Sequence, residues 1–249
     1  MITFTDVFVG IGREGARIVN GITADGVKVT VNPAYYILRP ERYSRKLVRF
    51  FSSLPENSML WIFHEDNAVN SEIRDLIANT ARGLNNVTLL AYVLTPHREL
   101  INEEKPSWAK KFDTVFYDSL EEFLRPDVPL HEAYEEAAGE IARALSNLYR
   151  YLESQMLVNV DYADFFTVIK GGNVGILRRF SSIDIDWKWG IWERGLVIAV
   201  VNEEFKLSEA HKILSDFQEL LSKKDIIWGI SMNPDNRDVE VLALLVKGW

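Results

Sequence analysis

Through the first half of this 249-residue chain, short apolar runs alternate with stretches whose apolar residues recur every three or four positions. The first type predicts buried strands and the second helices that cover them. Strands are expected at residues 4–9 (FTDVFV), 27–32 (VKVTVN), 59–63 (MLWIF), 86–94 (NVTLLAYVL) and 112–117 (FDTVFY). Between them, GIGREGARIVNGI reads as a glycine turn opening a helix. YSRKLVRFFSSL reads as a helix with Leu47, Val48, Phe50, Phe51 and Leu54 inward, and residues 69–84 as another. Strand–helix alternation of this kind points to a parallel sheet covered on both faces.

Residues 129–154 then hold one long helical pattern, with Ala133, Tyr134, Ala137, Ala138, Ile141, Leu145, Leu148, Tyr149 and Leu152 in a 3.6-residue period. A helix of that length spans roughly 35–40 Å at its fixed rise per residue, enough to cross a domain and enter another. Beyond it the order changes. A strand is expected around Val174–Phe180, then a tryptophan-rich link with Trp187, Trp189 and Trp192 suited to packing between domains. Strand 195–201 precedes a helix at 207–221 with Leu207, Ala210, Ile213, Leu214, Phe217 and Leu221 in one stripe. Residues 226–232 and 239–246 flank the turn-rich NPDNRD and read as a hairpin, giving a smaller mixed sheet.

Charge narrows the partners. The formal net charge is -8, which disfavours nucleic acid and anionic lipid. No cysteine is present, so disulfides and thiolate metal sites are excluded. The opening MITFTDVFVGIG lacks the regions of a secretory signal, and no apolar run reaches membrane-span length, so a cytoplasmic chain without membrane insertion is expected.

Three stretches could carry chemistry. Gly10-Ile11-Gly12-Arg13-Glu14-Gly15 fits G-x-G-x-x-G between strand and helix, where backbone N–H groups can approach a phosphate; a tight turn alone also needs these glycines. A dinucleotide site would want an acid after the next strand, where Asn32 and Pro33 stand. His64-Glu65-Asp66-Asn67 follows the third strand without a second ligand cluster, so no metal is expected. There the side-chain oxygens of Glu65, Asp66 and Asn67 suit helix capping, and two carboxylates would repel a phosphate. Asn159, Asp161 and Asp164 precede an apolar helical run, with Asp161 placed as an N-cap and Asp164 in the first turn; paired acids could also act on a docked ligand.

NVDYADFFTVI (159–169) closely resembles the N-V-D-F-A-D-V-x-T-V-M segment of the tubulin and FtsZ superfamily. GIGREGARIVN, FDTVFYDSLEEFL and the ending IIWGISMNPDNRDVEVLALLVKGW resemble further landmarks in the same order. The resemblance implies an α/β, FtsZ/tubulin-like fold. It would comprise a Rossmann-like domain at 1–128, a central helix and connecting loop at 129–158, and a smaller α+β domain at 159–249. It also implies that Asn159, Asp161 and Asp164 are catalytic toward nucleotide held by a neighbouring subunit. Gly10, Gly12, Arg13, Gly15 and Tyr134 are then the remnant of a nucleotide site. The departures are large. HEDNAVNS replaces the family's glycine-rich phosphate loop, the loop gripping the γ-phosphate is short at 33–58, and Ala138-Gly139 replace the guanine-reading Asn-Asp pair. The family's partner-recruiting tail is expected to be absent. The pattern implies a degenerate pocket, with GTP or GDP possible but not favoured. The chain is then expected to act by protein contact, with itself or another FtsZ/tubulin-like protein. The alternative is a nucleotide-binding or GTP-hydrolysing cytoskeletal protein with a remodelled pocket.

Overall fold

The computed structural model describes residues 5–97, 104–123, 128–180, 192–234 and 239–249. β1 (Thr5–Ile11) runs into α1 (Gly12–Gly21), and β2 (Val27–Val31) is followed by α2 (Pro33–Leu38) and α3 (Pro40–Phe51). β3 (Ser58–Glu65) leads to α4 (Ala68–Ala81), then β4 (Thr88–Thr95) and β5 (Thr114–Ser119). α5 (Leu130–Glu153) is the long helix, and α6 (Tyr162–Ile169) follows it. β6 (Asn173–Phe180), β7 (Trp192–Val201), α7 (Leu207–Leu220), β8 (Leu221–Met232) and β9 (Glu240–Gly248) complete the order.

The described strands join in one nine-stranded sheet, β2-β1-β3-β4-β5-β6-β9-β7-β8. It is parallel from β2 through β6, with Gly10 beside Phe63 and Thr114 beside Asn173. Successive strand residues point to opposite faces, so each face collects its own core. Phe8, Trp61, Phe63, Leu90, Tyr92 and Phe116 meet α1, α5 and α6 on one side. Val7, Val9, Leu60, Ile62, Leu89 and Ala91 meet α3 and α4 on the other. The α5 layer continues over Leu196, Ile198, Leu242 and Leu244, so this helix lies along both halves of the sheet. α7 covers the opposite face there through Ile213 and Phe217.

Four expectations are corrected. β8 and β9 are not a hairpin: β9 pairs antiparallel with β6 and β7, and β8 lies at the edge, parallel to β7. Every residue from Val241 to Val246 is buried, and a strand apolar on both faces belongs inside a sheet. β8 reaches β7 through the α7 crossover, which leaves the pair parallel. The second half is likewise no separate sheet, because β6 joins it to β5. On α3, Leu47 and Phe51 are buried, whereas Val48 and Phe50 are 38% and 39% exposed, since the edge strand β2 buries only Val31 beneath it. Trp192 packs with Ile176, Val197 and Phe217 inside the second half rather than between halves. Trp187 and Trp189, and the side chains of Leu207, Leu214 and Leu221, lie outside the described residues.

α5 is locked to the sheet by a buried polar chain. Trp61 Nε1 donates to the Tyr149 hydroxyl at 2.9 Å, and that hydroxyl donates to Asp6 Oδ1 at 2.7 Å. Trp61 also stacks on Phe63 and Phe116 with ring centroids 5.9 and 5.4 Å apart, and Phe165 of α6 stacks on it at 6.4 Å. This aromatic row fixes where the segment between α5 and α6 must lie.

Candidate functional site

The glycine turn lies at the carboxyl end of β1, the side on which parallel α/β sheets bind ligands. Its glycines have structural causes. A Cβ on Gly10 would lie 2.2 Å from the Gly15 carbonyl oxygen, and one on Gly15 would lie 2.3 Å from that of Phe63. Helix and sheet therefore approach too closely for any side chain. Gly12 has φ +76°, a conformation that favours glycine. Its outward side is occupied: a Cβ there would meet Asn70 Nδ2 at 3.0 Å and Asn70 Oδ1 at 3.3 Å. Asn70 is buried and donates from Nδ2 to the Glu65 carbonyl at 3.3 Å. Nothing in the sequence pattern singled this residue out; its signal is only a polar residue on the buried side of α4.

Charge around the turn is mixed. Glu14 is 3% exposed in the first turn of α1, where its carboxylate meets the positive helix end. It accepts from Arg17 Nη1 at 2.8 and 3.0 Å and pairs with Arg13 Nε at 3.3 Å. Arg17 also reaches Glu135 of α5 at 2.8 Å. Burial and the Glu14 carboxylate push the Glu65 carboxyl above its ordinary range. Burial, then Glu65 and Glu14, raise the Tyr134 hydroxyl too. Tyr134 thus faces the same acidic corner as the glycine turn, and Arg13 borders it.

After β3, only Asn67 of the expected trio caps α4, accepting from the Asn70 N–H at 3.0 Å. Asp66 holds the loop instead through its N–H to the Leu94 carbonyl, and Glu65 turns toward Glu14. His64 is buried, its Nδ1 2.8 Å from the Glu65 carbonyl. Desolvation, then Arg74, lowers its pKa to about 3, so the ring is neutral at ordinary pH. Among the described residues no group of three or more His, Cys, Asp or Glu is placed to hold a metal.

Asp161 and Asp164 come together as one capping unit, and Asn159 stands just before it. Asp161 Oδ1 accepts from the N–H groups of Ala163 and Asp164 at 2.8 and 3.1 Å, and Asp164 Oδ2 accepts from the Asp161 N–H at 3.0 Å. This reciprocal box satisfies donors that a helix start otherwise leaves open. Asn159 Oδ1 accepts from the Met156 N–H at 2.7 Å and shapes the bend out of α5. Asn159 and Asp161 nevertheless remain exposed. Tyr134 stands near the start of α5 and this loop follows its end, so about 30 Å of helix separates the two sets. Within one chain they do not meet.

A Rossmann-like parallel sheet, a long helix along it and an acidic, capped loop beyond that helix define the tubulin/FtsZ fold. Comparisons agree. The empty FtsZ dimer of M. jannaschii superposes with a TM-score of 0.69 at 16% identity, over 99% of this chain and 89% of that one. CetZ2 from Haloferax volcanii, solved as a GTPγS-bound protofilament, gives 0.71 at 12% identity over 98% and 93%. In sequence, FtsZ 2 of Pyrococcus furiosus is 26% identical over 156 residues, 53% of this chain and 38% of that protein. FtsZ 1 of Pyrococcus horikoshii is 24% identical over 200 residues, 70% and 53% respectively. The matched portions span about half the length of these curated relatives or less. No protein-family model matches the chain. The chain has the tubulin/FtsZ fold and is a distant sequence relative of archaeal FtsZ proteins.

Proposed function

We propose that this chain is an FtsZ-like cytoskeletal protein of the cytoplasm, linked to cell division, that works through protein–protein contact without hydrolysing GTP. Its sequence relatives are named as cell division proteins, and the solved structures that share its fold include an FtsZ dimer and a CetZ2 protofilament. The observation that carries the non-hydrolysing part is the filled turn: Asn70 lies against Gly12, and Glu14 and Glu65 line the same corner. A phosphate about 5 Å from an ionised carboxylate at an effective dielectric near 20 meets a repulsion of about 3 kcal/mol per charge pair. Phosphoryl transfer depends on preorganised donors; the Glu14 and Glu65 carboxylates only accept, and the Asn70 amide donor is already engaged by the Glu65 carbonyl.

The domain division proposed is 1–128, 129–158 and 159–249. The loop bearing Asn159, Asp161 and Asp164 then serves as a contact face for a second copy or for another FtsZ/tubulin-like protein. A chain that offers this face without a working pocket forms a heterologous contact that does not propagate, so it caps or modulates a filament. One observation favours a second role, a remodelled nucleotide site at Gly10, Gly12, Arg13, Gly15 and Tyr134. The N-terminus of α1 has no side-chain cap, and Arg13 is exposed beside it.

Light scattering and phosphate release separate these. Assembly of the chain alone, or altered assembly of an FtsZ from the same cell, with no phosphate released by this chain, is expected. GTP turnover that vanishes in Asp161→Asn and Asp164→Asn would establish the second role instead.

A further inference from the structure

The net charge hides a strongly cationic segment. Residues 33–51 carry five cations, Arg39, Arg42, Arg45, Lys46 and Arg49, against the single acid Glu41. Spacings of three and four place Arg42, Arg45, Lys46 and Arg49 on the side of α3 opposite Leu47 and Phe51, its buried residues. Arg17, Arg74, Arg82, Arg178 and Arg179 each pair with a carboxylate, whereas none of these five cations forms an ion pair among the described residues. With Tyr35 and Tyr43 they line an open cavity of about 750 Å³ between α2 and α3.

The apolar side chains here are as unusual as the charges. α2 reads PAYYIL yet has no buried residue, and Tyr35, Ile37 and Leu38 are 60%, 63% and 74% exposed. Val48 and Phe50, on the two flanks of α3, are also partly exposed. Cations flanking exposed Tyr, Ile, Leu and Phe match a bilayer surface, where phosphates meet the first and the acyl boundary takes the second. A phosphate backbone or an acidic peptide uses the cations but has little use for adjacent Ile37 and Leu38. The remaining acidic surface is no obstacle. Charges farther from the bilayer than about 8 Å are screened at physiological salt.

We propose that α2 and α3 form a peripheral docking surface for anionic membrane. The chain lies on the bilayer and does not span it; among the described residues no helix is long and apolar enough to cross. This proposal is independent of whether the glycine turn binds nucleotide.

The test is co-sedimentation of the whole chain with vesicles of phosphatidylcholine, alone or with about one-third phosphatidylglycerol. Binding only to the anionic vesicles is expected, weakening by about fivefold for each cation neutralised among Arg42→Gln, Arg45→Gln and Lys46→Gln. Ile37→Ser with Leu38→Ser should also reduce vesicle binding while leaving retention on heparin unchanged. Circular dichroism of each variant verifies that it is folded. The proposal is overturned by absence of binding to anionic vesicles, or by binding indifferent to both variant sets. Binding to polyglutamate or single-stranded DNA but not to vesicles overturns it equally, by assigning the patch to a soluble polyanion.

Discussion

Replacing Asp161 separates the structural use of the acidic loop from any use by a neighbour. In the fold Asp161 Oδ1 takes two backbone donors, from Ala163 and Asp164. Asp161→Ala removes both and leaves the exposed start of α6 to water, a loss of about 1 kcal/mol for a cap of this type. For a chain of this size that is a fall in Tm of about 2–4 °C. Asp161→Asn retains an oxygen acceptor at the same place and should cost only a few tenths of that. The assay is thermal unfolding of the three proteins followed by far-ultraviolet dichroism, run beside assembly by light scattering. The expected result is that Asn restores stability almost fully. If Asn restores stability but not assembly, the carboxylate also serves the contact face. A loss with Asn as large as with Ala would refute the capping account, because the acceptor geometry would then be irrelevant.

Gly10→Ala should destabilise the chain by at least about 2 kcal/mol without any nucleotide present, because its Cβ meets backbone that cannot move aside. Urea unfolding reads this, and a neutral substitution would contradict the packing explanation of the glycine motif. Asp6 predicts a pH effect: its carboxyl is pushed up to about 6 from 3.8, chiefly by burial. The folded chain holds that proton more tightly than the unfolded one, so this group lowers stability as pH rises from about 4 to about 6, by about 3 kcal/mol in all. Asp6→Asn keeps an acceptor for the Tyr149 hydroxyl and should be the more stable protein above pH 6, with no difference near pH 4; lower stability at neutral pH would contradict it. Leu145→Ala should cost about 2–5 kcal/mol, since Leu145 is fully buried where α5 meets the sheet.

Much of the fold is legible in the sequence because local pattern and burial agree. The five apolar runs of the first half all became strands, and the long period at 129–154 became α5 within a residue at each end. Asp161 caps α6 with Asp164 in its first turn, as the pattern predicts, and the structure adds the reciprocal bond that closes a box. The failures concern information that is not local. Adjacency along the chain suggested a β8–β9 hairpin, but the doubly apolar Val241–Val246 demanded neighbours on both edges and found them in β6 and β7. The contact of Asn70 with Gly12 joins helices far apart in sequence. Averaging charge over the whole chain concealed the cations of α3, whose common face appears only once Leu47 and Phe51 fix the buried side.

The central claim is that the chain keeps the superfamily fold while its own side chains occupy the phosphate corner. The most direct test is a thermal-shift titration with GTP, GDP and ATP, with and without Mg²⁺. A site saturated at 100 times its Kd would add about 2.7 kcal/mol of stability. The account predicts no saturable shift with any of the three, and no shift specific to guanine. A guanine-specific, saturable rise abolished by Gly12→Val would contradict it.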